Sequence, residues 1–245
     1  LTHPYVPDLS TQLEPVWQQR PAMVTFHFGI PPMAIIEKAH ALGISVGITA
    51  TCVAEAQAIN TAGADFIVAQ GWEAGGHRGR FQETLIDDGQ TLLSLVKALV
   101  ERVSLPVVAA GGLMTGADIA RVLSAGAIAA QLGTAFLCCP EANASVSHRT
   151  LLLDTEPRET IFTSAFSGRP ARGIRNGFID AMQGKERLEF PLQNTLTSAL
   201  RQWAVQNDHA EFQSVWAGTR YRDIRPMPAA QLMQALNNEL SAGGS

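Results

Sequence analysis

Little in this chain carries charge, and what it carries leans acidic. Only 16% of its 245 residues are Asp, Glu, Lys or Arg, and the formal net charge is −4. A nucleic-acid-binding domain usually shows a basic stripe, so that class is excluded. Cysteine is scarce too. Cys52, Cys138 and Cys139 make an odd count with two neighbours, which fits reduced thiols in a cytosol better than a disulfide framework. No apolar run approaches the roughly 18 residues that a membrane span needs. No Gly-x-Gly-x-x-Gly follows an early strand, so the dinucleotide fingerprint is missing, and no metal site is expected. The first residues, Leu1-Thr2-His3-Pro4-Tyr5, are neither a signal peptide nor an initiator methionine, and the chain is read as starting inside a longer gene product.

What is present is a soluble-type hydrophobic fraction of 46% arranged in a repeating order. Short apolar runs at residues 24–28, 44–48, 65–69, 106–110 and 127–132 alternate with helical spacing at 32–42, 53–62, 92–103 and 116–125. Three segments share one local grammar, Ala41-Leu42-Gly43-Ile44, Thr61-Ala62-Gly63-Ala64 and Ser124-Ala125-Gly126-Ala127. Each closes a helix with glycine and starts a strand at once. Continuous apolar strands alternating with helices predict a parallel sheet buried on both faces. The suggestive residues all fall just after strand ends, which favours an α/β barrel of the TIM (β/α)8 type over an open doubly wound sheet. The chain then changes character. A short helix is expected at 10–19 before the first strand, and helices at 141–153, 192–206 and 228–240 after the last. Residues 160–166 read as extended and 167–173 as a cationic loop. The expected division is a barrel portion at 1–154 and a helical extension at 155–245 packed upon it.

The stretch Gln70-Gly71-Trp72-Glu73-Ala74-Gly75-Gly76-His77 stands out at the end of the third strand. Paired glycines allow positive φ and close approach of a flat ligand to the backbone. The loop then presents an imidazole, whose unperturbed pKa lies near neutrality. A cofactor loop carrying an acid/base group and a plain glycine turn with a surface histidine both fit this octapeptide.

Three motifs in order narrow the choice. Ala69 to His77, then Pro106-Val107-Val108-Ala109-Ala110-Gly111-Gly112, then Gln131-Leu132-Gly133-Thr134 resemble the bacterial nitronate monooxygenases, formerly called 2-nitropropane dioxygenases. The strand at 24–29 and the run Phe166-Ser167-Gly168-Arg169-Pro170-Ala171-Arg172 are similar to the family as well, so the resemblance covers about residues 20 to 180. It implies an FMN-dependent TIM barrel that oxidises alkyl nitronates or nitroalkanes with molecular oxygen to carbonyl compounds and nitrite. By the same resemblance Gln70 touches the flavin, and Gly75 and Gly76 let its ring lie on the loop. Gly112 and Gln131, Leu132, Gly133 and Thr134 cradle the phosphate, and His77 is the catalytic base. The family has five strands before the glycine–histidine loop, whereas two precede it here. The expectation is therefore about five of eight strands, with the first three βα units lacking.

Other residues admit two readings. His27 either points toward substrate or is a satisfied core histidine. Glu73 is expected to bond backbone amides, Arg169 and Arg172 to be solvated loop charges or anion attractors, and Asp118 and Arg121 to lie on a solvated helix face. Cys138 and Cys139 are expected to be a buried apolar pair. Two other functions compete, a flavin-dependent enoyl-acyl carrier protein reductase and a non-catalytic truncated remnant. The oligomeric state is not legible.

Overall fold

The computed structural model describes residues 8–82 and 87–242. The N-terminal pentapeptide, and residues 83–86 of the polar segment that follows His77, lie outside the described residues. In chain order the first half runs α1 (Leu9–Gln19), β1 (Met23–Phe26), α2 (Met33–Ala41), β2 (Ser45–Ala50), α3 (Val53–Thr61), β3 (Phe66–Gln70), the two-residue β4 (Gly76–His77), α4 (Leu92–Val100), β5 (Val107–Ala110), α5 (Gly116–Ser124) and β6 (Ala129–Gln131). The second half adds α6 (Val146–Leu152), β7 (Thr160–Thr163), β8 (Ala171–Ile174), α7 (Gly177–Ala181), α8 (Leu192–Gln206) and α9 (Ala229–Ala242).

Five strands pair in the order β1-β2-β3-β5-β6, every pairing parallel. Sequence order and spatial order coincide because each strand returns through a helix, as parallel neighbours require. The three expected helix stops hold. Gly43, Gly63 and Gly126 sit at φ +73°, +79° and +103°, a handedness that a Cβ would strain. The core lies between this sheet and helices α2 to α5. Ile48, Ile59, Ile67, Val96 and Leu99 are all fully enclosed in it. The fold is an α/β barrel type with five consecutive βα units among the described residues.

The structure departs from expectation in four places. The helix at 141–153 is shorter, since Ser145 caps α6 by accepting from the His148 amide at 3.1 Å and the preceding residues are irregular. The cationic loop contains a strand. Residues of β8 pair antiparallel with both β7 and β4, aligning His77 with Ala171 and Gly76 with Arg172. Local polarity concealed that strand, because Arg169 and Arg172 are only 9% and 5% exposed. Neither is a solvated charge. The Arg172 guanidinium lies 4.1 Å from the Phe162 ring centroid and 5.4 Å from that of Trp72, and it donates to the Trp72 carbonyl. Asp118 is also buried. Its carboxylate closes a capping box with Thr115 and pairs with Arg121 and Arg220, so only Arg121 of that pair faces solvent. Finally, β1 stops at Phe26, which leaves His27 just beyond the strand rather than within it.

Cys138 and Cys139 are free and buried, packed with Met114, Leu151 and Leu232 in a second apolar cluster under α9. That matches the expected apolar pair.

Candidate active site

A cleft of about 220 Å³, about 720 Å³ counting its open mouth, lies where the parallel strands end at their carboxyl termini. Such sheets leave backbone groups and loop residues free at that edge, and ligands bind there. His27, Gln70, Gly75, His77, Gly112, Gln131, Leu132, Gly133 and Thr134 all line it. Thus four separate sequence segments converge on one cavity. Gly76 does not line it. At φ +77° it makes the turn into β4 instead.

The glycine–histidine loop is held from below by a hydrogen-bonded frame. Gln70 is buried, and its amide donates to the His77 carbonyl at 2.9 Å and accepts from the Gly79 amide at 2.8 Å. Arg78, 2% exposed, donates to the Gln70 carbonyl at 2.6 Å and grips Asp87 through two bonds. Burial opposes charge on Asp87, but the hydrogen bonds and charge of Arg78 hold its carboxyl below the usual range. Glu73 behaves as expected, accepting from the Leu92 amide at 2.9 Å at the start of α4. That placement suits a carboxylate at a helix N-terminus.

Two histidines meet at the loop's end. His27 Nε2 lies 2.9 Å from the His77 carbonyl and Nδ1 lies 3.1 Å from Thr49 Oγ1. A carbonyl only accepts, so His27 carries its proton on Nε2 and takes the Thr49 hydroxyl proton on Nδ1. Both nitrogens are committed, so His27 is a satisfied wall of the cleft. Burial lowers its pKa, against the hydrogen bond to His77. The His77 imidazole bonds through Nε2 to Ser167 Oγ at 2.8 Å. Burial first, then the charges of His27, Arg169 and Arg201, push its pKa down to about 4. At neutral pH it is an uncharged imidazole able to accept a proton.

The other wall is built from glycine turns and a threonine hydroxyl. Gly111 and Gly112 turn at φ +117° and +67° after β5, and Gly133 precedes a short 3-10 turn at Thr134–Phe136. A Cβ built on Gly133 would meet nothing within 4 Å, so room remains against the backbone there. Thr134 Oγ1 accepts from the Gly218 amide at 3.0 Å, which leaves its hydroxyl proton to give to a ligand. Open backbone at glycine turns and a free hydroxyl proton on one wall are groups that suit a phosphate. The residues present therefore fit the phosphate end of a flavin mononucleotide.

Gly218, Arg220 and Tyr221 also line the cleft, and the sequence alone did not single them out. They lie in an irregular stretch with no periodic signal, nearly at the far end of the chain. Gly75 explains their presence. Its Cβ position would lie 2.5 Å from Ala217 C and Gly218 N. The glycine thus admits a second segment of this chain against the loop, not only a ligand.

Buried histidines set one testable property. His27, His77 and His148 all have pKa values below the ordinary 6.5 when folded, each chiefly through burial. The unfolded chain then binds more protons than the folded one between about pH 6.5 and 4, so stability falls as pH falls through that window. The carboxylates Asp87, Asp118, Glu211 and Glu239 are lowered from values near 4 and add their own loss only below it. Urea unfolding at pH 7, 5.5 and 4.5 should show declining stability with a smaller slope in His148→Gln. A flat profile from pH 7 to 4.5 would contradict the neutral, buried assignment.

The fold and site define an α/β barrel-type protein with a cleft at its strand carboxyl ends, glycine turns on one side and a neutral histidine on the other. Residues 5–239 match the family described as nitronate monooxygenase. The chain belongs to the nitronate monooxygenase family. It is 43% identical to nitronate monooxygenase of Pseudomonas aeruginosa over 94% of this chain and 66% of that protein. It is 40% identical to a probable nitronate monooxygenase of Staphylococcus saprophyticus over 86% of this chain and 61% of the relative. The chain thus spans somewhat less than two thirds of the length of these curated relatives. Among solved structures, nitroalkane oxidase from Streptomyces ansochromogenes superposes with a TM-score of 0.92 at 41% identity, covering 96% of this chain and 68% of that one. FabK from Thermotoga maritima does so with a TM-score of 0.80 at 27% identity, covering 97% and 73%. Among the described residues no helix is long and apolar enough to cross a membrane.

Proposed function

We propose that the cleft binds FMN and that the protein oxidises alkyl nitronates, and the nitroalkanes that yield them, with molecular oxygen to carbonyl compounds and nitrite. The observation that carries this reading is the neutral His77 imidazole, facing the same cavity as the glycine turns. When bound, the flavin supplies electron acceptance and reactivity toward oxygen. The chain supplies placement and proton handling. Gly112 and the segment Gln131 to Thr134 would hold the phosphate, with the Thr134 hydroxyl as a donor. Gln70 would border the flavin, its amide tied to the loop. His77 takes the α-proton of a neutral nitroalkane, which leaves the nitronate anion. The positive charges of Arg169 and Arg201, which already depress the His77 pKa, favour that anion.

On this reading residues 1–154 carry the barrel portion, and 155–245 close one wall of the cleft. The buried thiols suit a reducing compartment such as the cytoplasm.

The deciding experiment is oxygen uptake by FMN-loaded protein, with nitronate and with NADH offered separately. Nitronate-dependent uptake without NADH is the expected result. Flavin reduction by NADH with no nitronate turnover would replace this reading with an enoyl reductase. A chain that retains no flavin at all would replace it with a non-catalytic remnant.

A further inference from the structure

Ser167 has no assigned part in the chemistry, yet it is 1% exposed and sits against the His77 imidazole at the cleft. It comes from the second half of the chain, on the turn before β8, and reaches His77 across 90 residues of sequence. Its hydroxyl has three neighbours. Ser167 Oγ donates to the Arg169 carbonyl at 3.1 Å, receives the Arg169 amide at 3.3 Å, and lies 2.8 Å from His77 Nε2.

Counting protons points to one arrangement of these bonds. A serine hydroxyl has one proton. The Arg169 carbonyl can only accept, so sending that proton to His77 would leave two oxygens facing each other with nothing between them. Sending it to the carbonyl leaves Oγ as an acceptor twice over, from the Arg169 amide and from His77. His77 must then carry its own proton on Nε2. Phe28 and Trp216 wall the ring edge-on, each with centroids 5.7 Å away. The β4–β8 pairing fixes its backbone. The ring is thereby held in one orientation as well as one tautomer.

We propose that Ser167 is a positioning residue that locks His77 in the Nε2–H tautomer, so that Nδ1 is the atom that takes the substrate proton. The proposal rests on the reading of His77 as proton acceptor. Its balance is simple. The α C–H bond breaks, its electron pair stays on the substrate as the nitronate, and the proton adds to Nδ1 to give an imidazolium. That cation keeps its Nε2–H donated to Ser167, so no hydrogen bond needs to be remade. The same logic operates in the Ser-His-Asp triad, where removing the group that fixes the tautomer lowers the rate by about 10⁴. A neutral serine holds its partner less firmly than a buried carboxylate, so a smaller effect is expected here.

The test combines ring nitrogen NMR with a comparison of substrates. In the wild-type chain the His77 spectrum should show the proton on Nε2, a measurement that needs no turnover. In Ser167→Ala the two tautomers should mix. The rate on a neutral nitroalkane should then fall about tenfold, less than the loss of about 10²–10⁴ expected without the base itself, while the rate on the preformed nitronate falls much less. Ser167→Thr, which keeps the hydroxyl, should restore both the tautomer and the ratio of rates. A wild-type His77 protonated on Nδ1 would overturn the proposal. So would a Ser167→Ala protein with an unaltered tautomer and an unaltered ratio of rates. If the alanine variant does not fold, Ser167→Cys carries the same two readouts, since sulfur is a weaker acceptor of nearly the same shape. Full nitroalkane activity in His77→Asn would instead remove the proton-acceptor reading and leave the tautomer assignment standing.

Discussion

His77→Asn is expected to lower kcat/KM for neutral nitroalkanes by about 10²–10⁴, the usual share of a positioned general base, while preformed nitronates lose far less. Asparagine keeps an amide donor for Ser167 but accepts no proton near neutral pH. The preformed anion has already lost the proton that His77 would remove, so its oxidation bypasses the step. The wild-type profile on nitroalkanes should also fall as pH drops toward about 4, where the imidazole becomes protonated. The variant should lack that limb. Oxygen uptake on the two substrate forms, from pH 8 down to pH 4.5, measures all of this. Equal losses on both forms would mean that His77 serves binding or structure, and proton removal would have to be assigned elsewhere.

Gly75→Val should damage the protein in a different manner. The added Cβ would lie 2.5 Å from backbone atoms of Ala217 and Gly218, and backbone cannot swing aside as a flexible side chain can. Overpacking of this kind costs about 1–3 kcal/mol or more, and each kcal/mol lowers Tm by about 2–4 °C in a chain of this size. The larger consequence is local. Thr219 donates to the Glu73 carbonyl at 3.0 Å and Gly218 to Thr134 at 3.0 Å, so pushing this segment away from the loop also frees the Thr134 hydroxyl from its anchor. FMN affinity, followed by fluorescence quenching, should fall together with Tm. A variant that melts normally and binds flavin normally would show that Ala217 and Gly218 do not rest on the loop.

The parallel half of the fold was open to reading because its grammar is local. Gly43, Gly63 and Gly126 mark helix ends whatever lies around them, and runs such as Ile67-Val68-Ala69 have one plausible use in a sheet covered on both faces. The cleft residues on β3, β5 and β6 followed, since each lies immediately after its strand. Where reading failed, the cause was long-range. The residues Ala171-Arg172-Gly173-Ile174 do not look like a strand until Trp72 and Phe162 are there to sandwich Arg172. Asp118 looked solvated although one of its partners, Arg220, reaches it from 102 positions away. Gly75 was read only as a ligand's glycine, and the structure adds backbone of Ala217 and Gly218 packed against it. Gly76 makes the turn into β4 at φ +77° and does not line the cleft.

The seating of Gly218 on Thr134 and of Ser167 on His77 also has a kinetic meaning. These contacts close chain loops of 84 and 90 residues, and Arg172 reaches Trp72 across 100. Loop-closure entropy must be met before such contacts return any stability. The βα units, joined by near neighbours, can therefore assemble first, and the cleft only afterwards. A refolding chain should recover its helical circular dichroism before it can quench flavin fluorescence, and a ribosome-bound chain that has not yet emitted its last thirty residues would hold a finished sheet with no finished site.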